Sequence, residues 1–215
     1  SKRASNAGRK LLVVTSNEET DDVLCSELED YKVDYYRGSL ANVLNRFVSS
    51  MEGLSDRTII FRLTADNVFP DGELLDKLEK EFVDLNLKYL ACNGFESGLP
   101  YGVSVELMRL EQLREAIKNT SVKYDLEHVT PYIRRTYGEY YYSHYKNLFL
   151  GNYKATIDTF NDYMKIVKVF ESFENPIDVS WKDLSKKLKD NDSHVITSSP
   201  INKLILGGVQ FGLDY

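Results

Sequence analysis

A short apolar run that ends in a carboxylate constrains the fold of this chain more than any other part of its sequence. Residues 58–63 read TIIFRL and residues 64–70 read TADNVFP. The run lacks alternation of polar and apolar residues, so it predicts a strand that is buried on both faces of a sheet. Open α/β sheets bind ligands in the crevice beyond the carboxyl ends of such strands. Asp66 is therefore the first candidate for chemistry, and the alternative is that Asp66 or Asn67 only caps the following helix.

Strand candidates alternate with amphipathic stretches along the first half of the chain. The strand candidates are residues 11–15, 33–36 and 58–63, and apolar residues recur at helical spacing in residues 24–31, 40–51 and 74–85. This order predicts an α/β fold, with a mostly parallel sheet in a three-layer arrangement. The 215 residues suffice for one domain, with or without an appendage.

The second half of the chain is less regular. Residues 88–92 and 103–107 predict two more strands, the second with one open face because its apolar and polar residues alternate. Thr130 is a plausible helix cap before Pro131, as Ser39 is for an earlier helix. Residues 137–145, YGEYYYSHY, predict a strand or arm that serves a sheet or a subunit interface.

Charge and cysteine content limit the possible functions. The chain has 27 basic and 33 acidic residues, for a net charge of −6, which argues against a nucleic acid polymer as partner. Cys25 and Cys92 show no spacing typical of a metal or redox site, so we expect buried, reduced thiols in a cytoplasmic protein. No run approaches the roughly 20 apolar residues of a membrane span, so no membrane partner is expected.

Two aspartates at predicted strand ends suggest a magnesium site. Asp158 follows a short apolar run, as Asp66 does, and a parallel sheet would bring the two carboxylates together. Mg²⁺ binds one or two protein carboxylates and completes its octahedron with waters and substrate phosphates. The alternative is that both aspartates are helix caps.

Several motifs resemble, in order, those of the spore-coat-polysaccharide-type cytidylyltransferases, relatives of the enzymes that activate acidic sugars as CMP-sugars. These motifs are RLTADN at residues 62–67 with Pro70, EHVTPYI at 127–133, and IDT at 157–159 followed by Asp162 and Tyr163. Thr15, Ser16, Asp21, Asp22 and the segments 37–39 and 43–44 also look like that family. The similarity covers about residues 10–188.

The resemblance implies a GT-A-like nucleotide-diphospho-sugar transferase fold and a reaction. A sugar hydroxyl would attack the α-phosphate of CTP and expel pyrophosphate, with Mg²⁺ on Asp66 and Asp158 as the catalytic and metal-binding pair. CTP, a sugar acid or related sugar, and a second copy of the chain are the expected partners.

Five residues are candidates for substrate binding. Arg62, Arg134 and Arg135 could contact phosphate, although for each arginine taken singly a surface or helix-end salt bridge is the stronger explanation. Asn67 joins this set through the motif that it shares with Asp66. His128 could contact the sugar or phosphate or be purely structural, and Glu106 could orient sugar hydroxyls.

The chain also departs from the family pattern. Relatives begin with a strand and a phosphate-binding loop resembling ARxxSxRLPxK, which this sequence lacks, so we expect an N-terminally truncated domain that binds CTP weakly when isolated. Asn45 stands where the family has an acid, and so does Ser104. These departures leave open a catalytically inactive module that serves dimerisation or docking.

The last residues of the chain differ in composition from those before them. We expect residues 1–192 to form the cytidylyltransferase-like domain and residues 193–215 to form a linker and a strand-like segment. Residues 203–215, KLILGGVQFGLDY, resemble the first strand of aldo/keto reductases. We expect this apolar segment to be ordered and paired in the sheet.

Overall fold

The computed structural model describes residues 2–5 and 8–193, and their strands form two small sheets. β1 pairs in parallel with β2, with Val13 opposite Tyr35. In the second sheet β5 lies between β3 and β4 and is antiparallel to both. The strands are β1 (Val13–Ser16), β2 (Tyr35–Gly38), β3 (Ile59–Arg62), β4 (Tyr89–Cys92) and β5 (Val105–Arg109).

Helices follow most strands, which confirms the predicted α/β alternation. The α-helices are α1 (Lys2–Ser5), α2 (Asp22–Asp30), α3 (Val43–Ser50), α4 (Gly72–Asp84), α5 (Gly94–Ser97), α6 (Leu110–Asn119), α7 (Lys123–His128), α8 (Pro131–Tyr137), α9 (Phe160–Phe170) and α10 (Trp181–Ser193). Single 3-10 turns lie at Glu19–Asp21 and Lys146–Leu148. The first two strands begin two residues later than the sequence pattern indicated.

The sheet is smaller and less parallel than predicted among the described residues. Of the three pairings between the five strands of the two sheets, only β1–β2 is parallel. The reason is the connection from β4 to β5, which holds only the four-residue helix α5. Such a connection favours an antiparallel neighbour, because a parallel one needs a full crossover.

The three-stranded sheet is covered on both faces, but β3 is an edge strand whose residues are only partly buried, and not fully buried as its apolar run predicted. Leu90 and Leu107 face a core with α4, α9 and α10, whereas Tyr89 and Met108 face a second core with α3, α6 and α8. Cys25 and Cys92 are buried and unpaired, in agreement with the prediction, and burial raises the pKa of the Cys92 thiol to about 12.

The tyrosine-rich segment extends the sheet. Ala91 N donates to Tyr140 O at 2.8 Å, and Tyr142 N donates to Ala91 O at 2.9 Å, so the segment pairs with β4. Of the two interpretations of this segment, the structure supports a sheet. The predicted reductase-like strand lies outside the described residues, and its pairing stays a prediction.

The Asp71 carboxylate accepts hydrogen bonds from the first turns of two helices. Its Oδ1 accepts from Leu74 N of α4 at 3.0 Å, and its Oδ2 accepts from Trp181 N of α10 at 2.8 Å. Asp71 is buried, and the Arg3 guanidinium lies 3.7 Å away. Arg3 in turn donates to backbone oxygens of Phe69 and Val179. This carboxylate therefore joins helices that lie 110 residues apart in sequence.

Removing the Asp71 carboxylate should destabilise the fold markedly. We expect Asp71→Ala to lower the free energy of unfolding by about 2 kcal/mol or more, because it removes a helix cap and leaves a buried N–H unpaired. Urea denaturation followed by circular dichroism measures the change. The control is Asp84→Ala, which removes an exposed carboxylate from the end of α4 and should cost less than about 1 kcal/mol. Equal losses in both variants would contradict the double-cap role.

Candidate functional site

A polar cavity of about 290 Å³ opens beyond the end of β3. Its walls come from the loop after β3, the start of β5 and the corner between α7 and α8. It collects six of the seven predicted site residues: Arg62, Asp66, Asn67, Glu106, His128 and Arg134. Asp158 is not among the lining residues.

Glu106 organises one wall of this cavity. Its Oε1 accepts from Tyr89 Oη at 2.5 Å and from Thr130 Oγ1 at 2.7 Å, and its Oε2 accepts from Arg62 Nη1. The Arg62 and Glu106 side chains are both mostly buried. Burial beside the Glu106 carboxylate raises the pKa of Tyr89. One carboxylate thus joins β3, β4 and the start of α8.

The Thr130 hydroxyl does not cap α8, contrary to the prediction. Thr130 occupies the N-cap position, and Pro131 is the first helical residue, as predicted. The Thr130 side chain, however, accepts no hydrogen bond from the backbone of α8. The hydroxyl is committed to Glu106 instead. Ser39 likewise precedes the true cap of α3, which is Asn42.

We expect Glu106→Gln to destabilise the fold by about 1–3 kcal/mol. The amide keeps one acceptor oxygen but places an NH₂ group near another of the donors that meet at Glu106. Chemical denaturation measures the loss. Glu73→Gln is the matched control, because the Glu73 carboxylate is about half exposed and pairs with Lys77 on the surface of α4. A loss no greater than in the control would show that the three hydrogen bonds contribute little.

Asp66 and Asp158 lie on adjacent segments that pair with each other. Ile157 N donates to Asp66 O at 3.2 Å, and Asn67 and Thr156 form an isolated antiparallel bridge. The parallel sheet that was predicted to join them is not the cause of this proximity. A short bridge between two loops brings them together.

Neither aspartate caps a helix, so that alternative is wrong for both. Asp71 caps α4, and Thr159 caps α9 in a capping box with Asp162. The Asp158 carboxylate instead accepts from Thr156 Oγ1 at 2.8 Å and lies 2.7 Å from Lys154 Nζ. Its hydrogen bond with Lys154 lowers the pKa of Asp158, with a further contribution from Thr156.

A close backbone approach holds the loop before β5 against this segment. Gly102 has φ +101°, and a Cβ there would lie 2.6 Å from Thr156 N. On either side of that contact, Tyr101 N donates to Tyr153 O at 2.9 Å and Ala155 N donates to Tyr101 O. Only glycine fits this position, so the glycine-rich loop positions Tyr101 and Ser104 at the cavity.

The sequence profile of the cytidylyltransferase family matches residues 2–197. The chain belongs to the cytidylyltransferase family. It is 31% identical to the spore coat polysaccharide biosynthesis protein SpsF of Bacillus subtilis (strain 168) over 185 residues, which cover 84% of this chain and 75% of that protein. It is 28% identical over 193 residues to an uncharacterized protein of Methanocaldococcus jannaschii, with 86% of this chain and 77% of that protein covered.

The fold of this cytidylyltransferase family member matches that of a solved relative. A cytidylyltransferase from Leptospira borgpetersenii serovar Hardjo-bovis (strain JB197) superposes with a TM-score of 0.78 at 23% sequence identity. The match covers 94% of this chain and 85% of that one. The family resemblance inferred from the sequence motifs is therefore confirmed, and so is an α/β fold of this type.

The arginine candidates of this family member fall into two groups. Arg134 donates to Glu139 at 2.9 Å yet still lines the cavity, as Arg62 does beside Glu106. Arg135 faces away and forms a bidentate pair with the buried Asp125 carboxylate, at 2.8 and 2.6 Å. Arg135 therefore forms only a salt bridge, as the alternative explanation proposed. Arg62 and Arg134 each form a salt bridge and also line the cavity.

Another set of family-like residues forms a closed network at the ends of β1 and β2. The Asp21 carboxylate accepts from the hydroxyls of Thr15 and Ser16 and from Ser16 N. These bonds, led by that from Thr15, lower the pKa of Asp21 to about 2. Arg37 binds Ser16 O at 3.0 Å and Asp22. The network stiffens the loop that follows β1.

Sequence reasoning missed several cavity residues. These are Thr64, Asn93, Tyr101, Ser104 and Tyr124, with Thr130 assigned only as a cap. Most carry hydroxyl or amide groups in loops, where such residues are common for many reasons. Their positions next to predicted site residues could have identified two of them, because Thr64 lies two residues before Asp66 and Tyr124 lies one helical turn before His128.

None of the helices in the described part of the chain has the length and apolar character that a membrane span requires.

The capping carboxylate of α9 should make stability depend on acid pH. Asp162 accepts from Lys154 Nζ at 2.8 Å and from Thr159, and these contacts, led by that with Lys154, lower its pKa from 3.8 to about 2. A lowered pKa stabilises the folded state above the ordinary pKa, and this contribution is lost as the pH falls from 3.8 toward 2.

We therefore expect Asp162→Asn to lower the melting temperature at pH 7 and to have little effect near pH 2. Circular dichroism melts at several pH values measure the difference between the variant and the wild type. The control is Asp190→Asn, an exposed residue in the second half of α10. A difference that stays constant from pH 7 to pH 2 would contradict the role of the Asp162 charge.

Proposed function

We propose that this chain transfers a cytidylyl group from CTP to a sugar, forming a CMP-sugar and pyrophosphate in the biosynthesis of a surface polysaccharide. Family membership supports the nucleotidyl transfer, and the relative SpsF is named for spore coat polysaccharide biosynthesis. The observation that carries the proposal is the cavity, in which the family-like residues Arg62, Asp66 and His128 converge.

The cavity has the chemistry of a sugar site. Hydroxyl and amide groups line it together with charged groups of both signs. Sugars present many hydroxyls, which donate and accept hydrogen bonds, and polar walls of this kind satisfy both roles. The guanidinium groups of Arg62 and Arg134 suit a carboxylate or a phosphate, so a sugar acid is the preferred substrate class. Asn67 and His128 add further polar contacts at the same wall.

Asp66 and Asp158 are the proposed magnesium ligands. Their carboxylates are hard oxygen donors on paired segments, and neither is used as a helix cap. Lys154 Nζ lies 2.7 Å from the Asp158 carboxylate and would have to give way to the ion. When bound there, Mg²⁺ would neutralise charge on the phosphates of CTP.

The reaction forms one phosphorus–oxygen bond and breaks another. A sugar hydroxyl oxygen bonds to the α-phosphorus of CTP, the bond from that phosphorus to the bridging oxygen breaks, and pyrophosphate leaves with its electron pair. The hydroxyl proton passes to solvent or to a neighbouring base. The residues of this chain hold the sugar and orient its hydroxyl, which is the larger part of catalysis in phosphoryl-type transfers.

Location and assembly belong to the same proposal. CTP as donor and two buried, unpaired cysteines support a cytoplasmic protein. A homodimer is consistent with the exposed aromatic and apolar side chains of α9, among them Phe160 and Tyr163. Sedimentation velocity determines the oligomeric state.

Substitution of either aspartate should suppress transfer. We expect Asp66→Asn and Asp158→Asn each to reduce pyrophosphate release from CTP by about 100-fold, because a lost metal ligand removes several kcal/mol of charge stabilisation. The assay contains Mg²⁺ and a panel of sugars with the protein in excess, so that slow turnover registers. Asp84→Asn, on the surface of α4, is the matched control.

Calorimetric titration of CTP with Mg²⁺ separates the alternatives. Magnesium-dependent binding that both variants weaken supports the site. Full activity in either variant would remove that aspartate from it. Absence of both binding and turnover in the wild type would favour a catalytically inactive module of the same fold.

A further inference from the structure

Val129 has a backbone conformation that branched side chains rarely adopt. Its φ is 72° and its ψ is −52°, and Thr130 N donates to His128 O at 2.8 Å across it. This geometry is a γ-turn with a positive central φ, a rare and strained form. Among the described residues with positive φ, Val129 is the only β-branched one, and strain is greatest for such residues.

The surroundings hold the strained turn from several sides. The Val129 side chain is fully buried in the core that contains Leu44, Met108 and Ile133. Val129 N donates to Asp125 O at 2.9 Å, and α8 begins two residues later at Pro131. Packing and the flanking helices therefore fix a conformation that the local chain would otherwise avoid.

The two residues that flank Val129 both line the cavity. The His128 ring packs against Tyr124 with centroids 4.3 Å apart, and the Thr130 hydroxyl bonds to Glu106 at 2.7 Å. A γ-turn reverses the chain within three residues, so it can direct both neighbours to one cavity while the central side chain enters the core. A relaxed turn would redirect one of the three side chains.

The hydrogen bonds of Thr130 indicate what kind of group it can bind. An ionised carboxylate only accepts, so the single Thr130 hydroxyl proton is donated to Glu106. The Thr130 hydroxyl can then form further hydrogen bonds only through its lone pairs, which accept from a donor. A ligand O–H group supplies such a donor.

We propose that Val129 is a positioning residue whose strained turn presents His128 and Thr130 as direct contacts for hydroxyl groups of the sugar substrate. The proposal rests on the proposed function for the identity of the ligand. The strain itself is independent of that function.

Melting temperatures of paired variants test the strain. Glycine tolerates positive φ and alanine does not, so we expect Val129→Gly to melt about 2–4 °C higher than Val129→Ala, although both lose core packing. The control is Val169, a buried residue of α9, where the glycine variant should melt lower than the alanine variant. The same order at Val129 as at Val169 would overturn the proposal.

Ring proton NMR tests the positioning role. The chain has three histidines, so His128 can be assigned by its loss in His128→Gln. We expect the wild-type His128 signal to shift on addition of at least one of N-acetylneuraminate, N-acetylglucosamine or glucose. His144, which pairs with Glu81, is the internal control and should not move.

Val129→Ala disfavours the positive φ, so it should weaken sugar binding at His128 by about tenfold, the equivalent of one lost hydrogen bond. Val129→Gly tolerates the turn and should bind the sugar more tightly than Val129→Ala. Pyrophosphate release by the wild type without any His128 response would overturn this proposal and leave the proposed function intact. Absence of turnover, CTP binding and sugar response in the wild type would overturn both. Unchanged sugar binding in Val129→Ala would overturn the positioning role alone.

Discussion

The structure around the cavity depends on the Glu106 carboxylate. The antiparallel register places Glu106 directly opposite Arg62 on one side and Ala91 on the other. A slip of one residue would turn the carboxylate to the other face of the sheet, away from Arg62 and Thr130. Two charged side chains that are mostly buried cost desolvation, and this cost is offset only when the hydrogen bonds are complete. Three donors complete the hydrogen bonds of the Glu106 carboxylate, whereas the buried Nε of Arg62 has no hydrogen-bond partner among the described residues.

The core and the cavity meet at the corner between α7 and α8. Apolar side chains that cover one face of the sheet also bury Val129, so core packing offsets the strain of the turn between His128 and Thr130. At this corner the cavity therefore draws its geometry from hydrophobic burial. Substitutions in this core should affect recognition even when they touch no cavity residue.

The opposite side of the cavity is assembled from loops. The segment that carries Asp66 pairs with the segment before Asp158 through the bridge between Asn67 and Thr156, and Gly102 allows the loop before β5 to contact the latter segment. Lys154 supplies positive charge between the carboxylates of Asp158 and Asp162. A divalent cation at Asp158 would meet this ammonium as a competitor, since both cations are attracted by the same carboxylate.

The sequence by itself determined the α/β alternation, the position of β3 and the start of α8 at Pro131, because hydrophobic period and proline act between near neighbours in the chain. Its motifs also placed the Asp66 and His128 segments at one site. Only the tertiary structure decided that β5 is antiparallel, that the Thr130 hydroxyl serves Glu106 and not a helix end, and that Val129 is strained. These features depend on partners that are distant in sequence, and local propensity carries no information about which distant group will complete a hydrogen bond or hold an unfavourable backbone angle.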